Sequence, residues 1–189
     1  MFNSEFDPGD SEKQYQKKII QSLDKYGLHP ARVKKHAVIG EIVVERMKEA
    51  DPFWQSVDFE VIHPAPLFSK FAEPREGEFI FLPGRLHRWK RVDLVIRAMP
   101  HVKGGIKLLI AGSGEEDSHL RKLVADLTLE ERIEFLGNIP AEQLLDLYSR
   151  SVVIPFVPFS EDFGYVAIEA FRAKKPVITC SDSGEPARI

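Results

Sequence analysis

From Phe79 onward the chain alternates short apolar runs with stretches of helical periodicity. The runs are FIFLP (79–83), IKLLIA (106–111), IEFL (133–136), VVIPF (152–156) and PVITC (176–180). Between them apolar positions recur at i, i+3, i+4 and i+7: Val92, Val95, Ile96 and Met99, then Leu120, Leu123, Val124 and Leu127, then Ala141, Leu144, Leu145 and Tyr148. A fourth set, Val166, Ala167, Ala170 and Phe171, leads toward Pro176, and Pro140 is placed to open the third helix at its first position. Apolar runs of strand length imply strands covered on both faces, and the helical spacing implies one buried stripe per helix. Five such strands separated by four helices require right-handed crossovers, so the pattern predicts an α/β domain with a Rossmann-like parallel sheet flanked by helices.

The first third of the chain reads differently. Residues 1–10 carry no periodic pattern and are expected to be disordered or frayed. A helix is expected from Ser11, with Ile19, Leu23 and Tyr26 on one stripe and Gly27 ending it. A second is expected over Val33–Ala50 from Ile39, Ile42, Val43 and Met47, stopped by Asp51-Pro52. Phe53 and Trp54 read as buried anchors, and VDFEVIHPAPLF (57–68) as a short strand running into a proline-stiffened connector. The expected division is therefore 1–68, helical with a linker, and 69–189, the α/β domain.

Composition narrows the chemistry. With 43% hydrophobic and 29% charged residues in 189, the chain can bury a core. A net charge of −3 offers no basic excess for nucleic acid. The single cysteine, Cys180, cannot form an internal disulfide and reads as a small apolar residue in a reducing compartment. No signal sequence and no run of membrane-spanning length is present, so the expected location is cytoplasmic. The six histidines show no HxxxH or HExxH spacing, and neither a GxxxxGK[ST] loop nor a GxSxG elbow occurs. His63, beside a proline, is best explained as part of a turn.

In a parallel α/β sheet ligands bind outside the carboxyl ends of the strands. Four of the expected strands end in segments that suit such a site. After FIFLP comes GRLHRWKR (84–91), with Arg85, His87, Arg88, Lys90 and Arg91 in eight residues. Cations at a strand end suit phosphate oxygens, although a surface loop balanced by nearby acids fits the same composition. After IKLLIA comes Gly112-Ser113-Gly114, a GxG with Asp117 where a dinucleotide fingerprint has its third small residue. It is a weak signal for NAD and reads better as a close-approach turn beside a flat ring. Gly137-Asn138-Ile139 follows IEFL as a tight turn whose backbone can meet a base edge. After VVIPF comes SEDFGYVAIEAF (160–171), with Glu161 and Glu169 eight positions apart around a helix start at Phe163-Gly164-Tyr165. Helix N–H groups there favour an anion, and Glu169 lies about 9 Å along the axis at ~1.5 Å per residue. Taken together, cations, glycines and two acids on one edge suggest a site for a nucleoside diphosphate.

These pieces resemble the glycosyltransferase group 1 family, whose members are retaining enzymes with the two-domain GT-B fold. The resemblance rests on PGRLHRWKRVDLVIRA, KLLIAGSGEE, RIEFLGNIP, VIPFVPFSEDFGYVAIEAF and KPVITCSDSGEP, in family order and spacing. It covers Phe79 to about Pro186 and is weaker over Ile39–Phe68. The Glu161/Glu169 pair is similar to the family's E-x7-E element. The resemblance implies that Glu161 bonds donor-sugar hydroxyls and that Glu169 holds the nucleotide ribose. It implies that Arg85 and Lys90 bind the diphosphate, assisted by the backbone of Phe163 and Gly164. Gly112, Gly114, Asn138 and Ile139 would surround the base, with Tyr165 beside the donor. The implied reaction moves a hexosyl unit from a nucleoside-diphosphate sugar to an acceptor hydroxyl with retention, and needs no metal or other cofactor.

The same resemblance carries expectations about extent and partners. Family members have a whole N-terminal domain that supplies the acceptor pocket, whereas only its last two helices are expected here, and more helix follows the segment at Ile189. The chain is therefore expected to be incomplete: weakly active or inactive alone, or else a non-catalytic nucleotide-sugar-binding module working with a partner subunit. The acceptor class, whether glycan, lipid or small molecule, stays open, as does peripheral association with the inner face of a membrane.

Overall fold

The computed structural model describes residues 18–19, 22–23, 26–29, 31–65, 68, 71 and 73–189. The expected frayed start and most of the helix from Ser11 lie outside these residues. Lys18, Ile19, Ser22, Leu23, Tyr26 and Gly27 are helical. The chain forms two compact units, Met1–His63 and Pro64–Ile189.

In the first unit the expected helix over Val33–Ala50 is corrected. His36–Val38 is a strand, β1, and only Glu41–Ala50 is helical, α1. β1 pairs in parallel with β2, Phe59–Val61, so the segment is a βαβ unit, not a helix pair. Ile39 matched the helical spacing only by coincidence, because Gly40 is extended at φ −166° and caps the helix there. The stop at Asp51-Pro52 is present. Asp51 closes α1, and its carboxylate accepts from Phe53 N–H to start a 3₁₀ turn that buries Trp54. His63 Nδ1 sits 3.2 Å from the Ile39 carbonyl, in keeping with its place in a turn.

The second unit contains every expected strand and helix of the α/β pattern. These are β3 (Phe79–Pro83), α2 (Val92–Ala98), β4 (Lys107–Ala111), α3 (Asp117–Asp126), β5 (Ile133–Gly137), α4 (Ala141–Arg150), β6 (Ser151–Pro155), α5 (Tyr165–Arg172) and β7 (Val177–Ile178). Two details shift: Pro140 is the extended cap before α4, not its first residue, and β7 spans two residues of the expected five. The sheet is parallel throughout, in the order β5-β4-β3-β6-β7. β3 is central and buried at all five positions, as a run with no polar alternation requires. Its side chains alternate between two cores. Ile80 and Leu82 pack with Ile96, Met99 and Leu120 on the side of α2 and α3. Phe79 and Phe81 pack with Tyr148, Leu147 and Ala170 on the side of α4 and α5.

Candidate active site

The strand order places a crevice at the carboxyl edge. From β3 the chain moves outward to β4 and β5, then returns to the other side of β3 as β6 and β7. Connections therefore diverge on either side of the β3–β6 pair, which is where open parallel sheets bind ligands. The loops after these two strands meet there along three successive residues. The Trp89 ring stacks on Phe159 with centroids 5.7 Å apart. Lys90 Nζ donates to Glu161 Oε2 at 2.5 Å. Arg91 donates to the Val157 carbonyl at 2.7 Å and the Pro158 carbonyl at 2.8 Å, and grips both carboxylate oxygens of Asp182 at 2.7 Å. The five cations of this loop thus separate by role, Arg88 lying over the Trp89 ring at 4.9 Å. Arg91 is a brace, and its guanidinium holds the Asp182 carboxyl below the usual range. His87 pairs with Glu115 at 2.9 Å. Arg85 and Lys90 line a cavity.

That cavity, of about 260 Å³, lies between Pro83, Phe156 and Val157 and is also lined by Glu161 and Tyr165. Glu161 is held by its backbone: its N–H donates to the Ser183 carbonyl at 2.9 Å, and its carbonyl accepts from Glu185 N–H at 3.0 Å. Gly184 makes this approach possible. It sits at φ +78°, and a Cβ there would come within 2.4 Å of the Glu161 carbonyl oxygen. The sequence reading of Ser181–Gly184 as a polar turn is correct in conformation but missed this bracing.

A second cavity of about 580 Å³ shares Pro83, Gly84, Arg85, Tyr165 and Val166 with the first, so the two form one cleft. Gly112, Ser113, Asn138, Ile139, Phe68 and Glu169 are also on its wall. Ser113 Oγ donates to Asn138 Oδ1 at 3.0 Å, tying the β4 and β5 loops together. The close approach expected at the GxG turn is present, but what approaches is the protein itself. Gly112, at φ +128°, abuts the Gly84 carbonyl, and Gly114 abuts the Leu86 carbonyl; a Cβ would lie 2.0 Å and 2.1 Å from those oxygens. Gly114 consequently lies beneath the loop, not on the cleft wall.

Glu169 belongs to α5, which Gly164 opens in the left-handed region at φ 90°, packed so tightly that a Cβ would meet Pro186 Cγ at 2.6 Å. The Phe163 side chain is buried, with its ring edge-on to Tyr165 at 5.2 Å. Phe163 and Gly164 therefore shape the helix start while their side-chain positions stay off the cleft wall. Glu169 is 5% exposed and accepts from Tyr148 Oη at 2.8 Å. Burial raises its carboxyl above the usual range, and the Tyr148 hydrogen bond works against that rise. Burial, then the Glu169 charge, raises the Tyr148 hydroxyl well above its ordinary value. Sequence reasoning placed Tyr148 on an apolar stripe and missed its hydroxyl's partner. The available signal was a polar tip at an inward position, which needs a partner when buried.

Among the described residues no group of three or more His, Cys, Asp or Glu is placed to hold a metal ion, and no helix is long and apolar enough to cross a membrane. Residues 66–189 match the family described as glycosyl transferases group 1. This chain belongs to that family. An uncharacterized glycosyltransferase of Methanocaldococcus jannaschii is 36% identical to this group 1 chain over 111 residues, 58% of the chain and 28% of that protein. The D-inositol 3-phosphate glycosyltransferase of Mycobacteroides abscessus is 30% identical over 140 residues, 70% of the chain and 32% of that protein. The chain thus spans about a third of the length of these relatives. Among solved structures, Anabaena HepE in complex with UDP and glucose superposes with a TM-score of 0.73 at 16% identity, over 94% of this chain and 52% of that one. Staphylococcus aureus TarM, as a mutant in complex with fondaparinux, alpha-GlcNAc-glycerol and UDP, gives 0.69 at 19% identity, over 96% and 36%. At these identities the likeness is one of fold, and the fold of the second unit is the Rossmann-like parallel sheet of the GT-B glycosyltransferases.

Proposed function

We propose that the cleft binds a nucleoside-diphosphate sugar and that the chain serves the transfer of its hexosyl unit to an acceptor hydroxyl with retention at the anomeric carbon. One observation supports this most. A single cleft carries Lys90 and a carboxylate, Glu161, at one end, a second, buried carboxylate, Glu169, at the other, and Arg85 on the wall the two ends share. Arg85 is exposed and its guanidinium has no ionic or hydrogen-bonded partner among the described residues, so it is available to a diphosphate. Lys90 would exchange Glu161 for a phosphate oxygen, each charged hydrogen bond being worth roughly 1.5–3 kcal/mol. Glu161, so released, would accept from sugar hydroxyls. Glu169 would accept from the ribose, with Gly112, Asn138 and Ile139 beside the base and the start of α5, at Phe163–Tyr165, adding its dipole near the phosphates.

In the transfer the bond from the anomeric carbon to the diphosphate oxygen breaks, and a bond to the acceptor oxygen forms on the same face as that hydroxyl passes its proton to the departing diphosphate oxygen. Arg85 and Lys90 stabilise the negative charge that collects on the departing diphosphate, which is the role a metal plays elsewhere. No metal or other cofactor enters this reading, and the nucleotide sugar is a substrate. The acceptor is a glycan, a lipid or a small molecule.

Thermal unfolding of the 189-residue chain with UDP, GDP, ADP and NAD tests the donor site. One nucleoside diphosphate should raise the melting temperature, NAD should not, and Glu169→Ala should abolish the rise. No shift with any of them overturns the reading. The match to only about a third of each relative favours a second reading beside it, in which this chain binds the nucleotide sugar and transfer needs residues from elsewhere. A mass-labelled sugar donor offered with simple alkyl glycoside acceptors separates the two: product formed by the chain alone excludes the second.

A further inference from the structure

We infer that Tyr148 is a positioning residue of the nucleotide site, holding Glu169 by one carboxylate oxygen so that the other is presented to the ligand. The inference rests on the reading of the cleft as a nucleoside-diphosphate site.

Tyr148 Oη donates to Glu169 Oε2 at 2.8 Å across 21 positions of sequence, joining α4 to α5. The tyrosine is fully buried. Its ring is held edge-on by Phe81 of β3, with centroids 5.4 Å apart at 89°, and by Phe71 at 6.1 Å and 77°. A ring fixed on two sides leaves its hydroxyl one place to point, and that place is one carboxylate oxygen. A carboxylate accepts through both oxygens, so satisfying Oε2 from the core leaves Oε1 as the acceptor directed to the cavity that Glu169 lines. A buried glutamate without such a donor would adopt several rotamers and would favour its protonated form, a weaker acceptor for a ribose hydroxyl.

The surrounding charges do not duplicate this role. Arg85 shares the larger cavity wall, Asn138 and Ser113 there are neutral, and Lys175 sends its ammonium to the Arg75 carbonyl at 3.0 Å. Arg172, one turn on in α5, lies over the Phe71 ring at 5.9 Å. Burial raises the Glu169 carboxyl, and the Tyr148 bond is what opposes it. Removing the hydroxyl therefore raises the carboxyl further. The acid limb of nucleotide affinity, where Glu169 protonates, moves toward neutral pH.

The test is a titration of the 189-residue chain with whichever of UDP, GDP or ADP it binds, at pH values from 5 to 8, for wild type, Tyr148→Phe, Glu169→Gln and the double variant. Tyr148→Phe should weaken affinity about tenfold or more near the acid limb, from the loss of a hydrogen bond to a charged group, and shift that limb to higher pH. Glu169→Gln should leave only the limb of the nucleotide's own terminal phosphate, and adding Tyr148→Phe to it should change affinity little, because the tyrosine acts through the carboxylate. A Tyr148→Phe chain that only melts earlier, with unchanged affinity and limb, overturns the inference and leaves the donor-site reading standing. So does a shift of the limb by Tyr148→Phe that persists in the Glu169→Gln background. Failure of the wild type to bind any of the three overturns both.

Discussion

Burial and ion pairing pull two carboxyls of this chain in opposite directions. Glu169 is raised, first by burial. Its folded value lies above the unfolded one, so its contribution to stability is fully present below about pH 4.5 and is lost as pH rises through the folded value. At neutral pH the ionised group therefore costs stability. Glu169→Gln should raise the melting temperature at pH 7–8 by a few degrees while losing nucleotide affinity. The gain should vanish as scans approach pH 4, and a gain that persists there would rule out ionisation as its source. Asp182 is lowered, chiefly by its hydrogen bonds to Arg91. Its contribution is present above its ordinary value of 3.8 and is lost as pH falls through the lower folded value. Asp182→Asn should lower stability at neutral pH and make acid unfolding below about pH 4 less steep. An unchanged slope would show that Arg91 is held by the Val157 and Pro158 carbonyls alone. Both residues were visible in the sequence. Their partners were not, because Tyr148 is 21 and Arg91 is 91 positions away.

At the scale of elements, local chemistry was legible where pattern and burial agree. The strands from β3 to β6 were read to within a residue, since continuous apolar runs have few other uses. The Val33–Ala50 segment failed because four apolar positions at helical spacing were blind to a parallel partner, Phe59–Val61, supplied by the chain further on. Glycine is likewise explained by what lies opposite. Gly112→Ala would combine φ +128° with a Cβ 2.0 Å from a backbone oxygen that cannot move aside without the β3 loop. It should cost about 3 kcal/mol or more in chemical denaturation. Gly137, at φ +66° with no atom within 4 Å of a Cβ, should lose only about 1–2 kcal/mol on change to alanine. Equal losses at the two sites would mean the close packing of the Gly84 and Gly112 loops does not hold in solution.

For the whole molecule the strand order decides the site. With β3 central and the chain turning back at β6, the loops after both strands meet at one edge, and Trp89, Lys90 and Arg91 each find a partner on the other loop. A nucleotide seated there, as proposed, would bridge both halves of the sheet through α5 and the β3 loop. At about 100 times its Kd it should add about 2.7 kcal/mol, or about 5–10 °C in melting temperature for a chain of this size.

By itself the sequence determined the α/β alternation, the order of the elements and the residue types at each strand end. Those depend on the period of apolar positions and on turn chemistry, which are local. It named Arg85, Lys90, Glu161 and Glu169 as candidates, the two cations by family resemblance, and gave no structural role to Arg91. Only the tertiary structure decided that Arg91 holds a loop while Lys90 lines the cavity, that Gly114 packs under Leu86 and not on the cleft wall, and that Tyr148 carries Glu169. Each of those roles depends on which groups meet across long stretches of chain, and that is set by the order in which strands join the sheet, not by spacing along it.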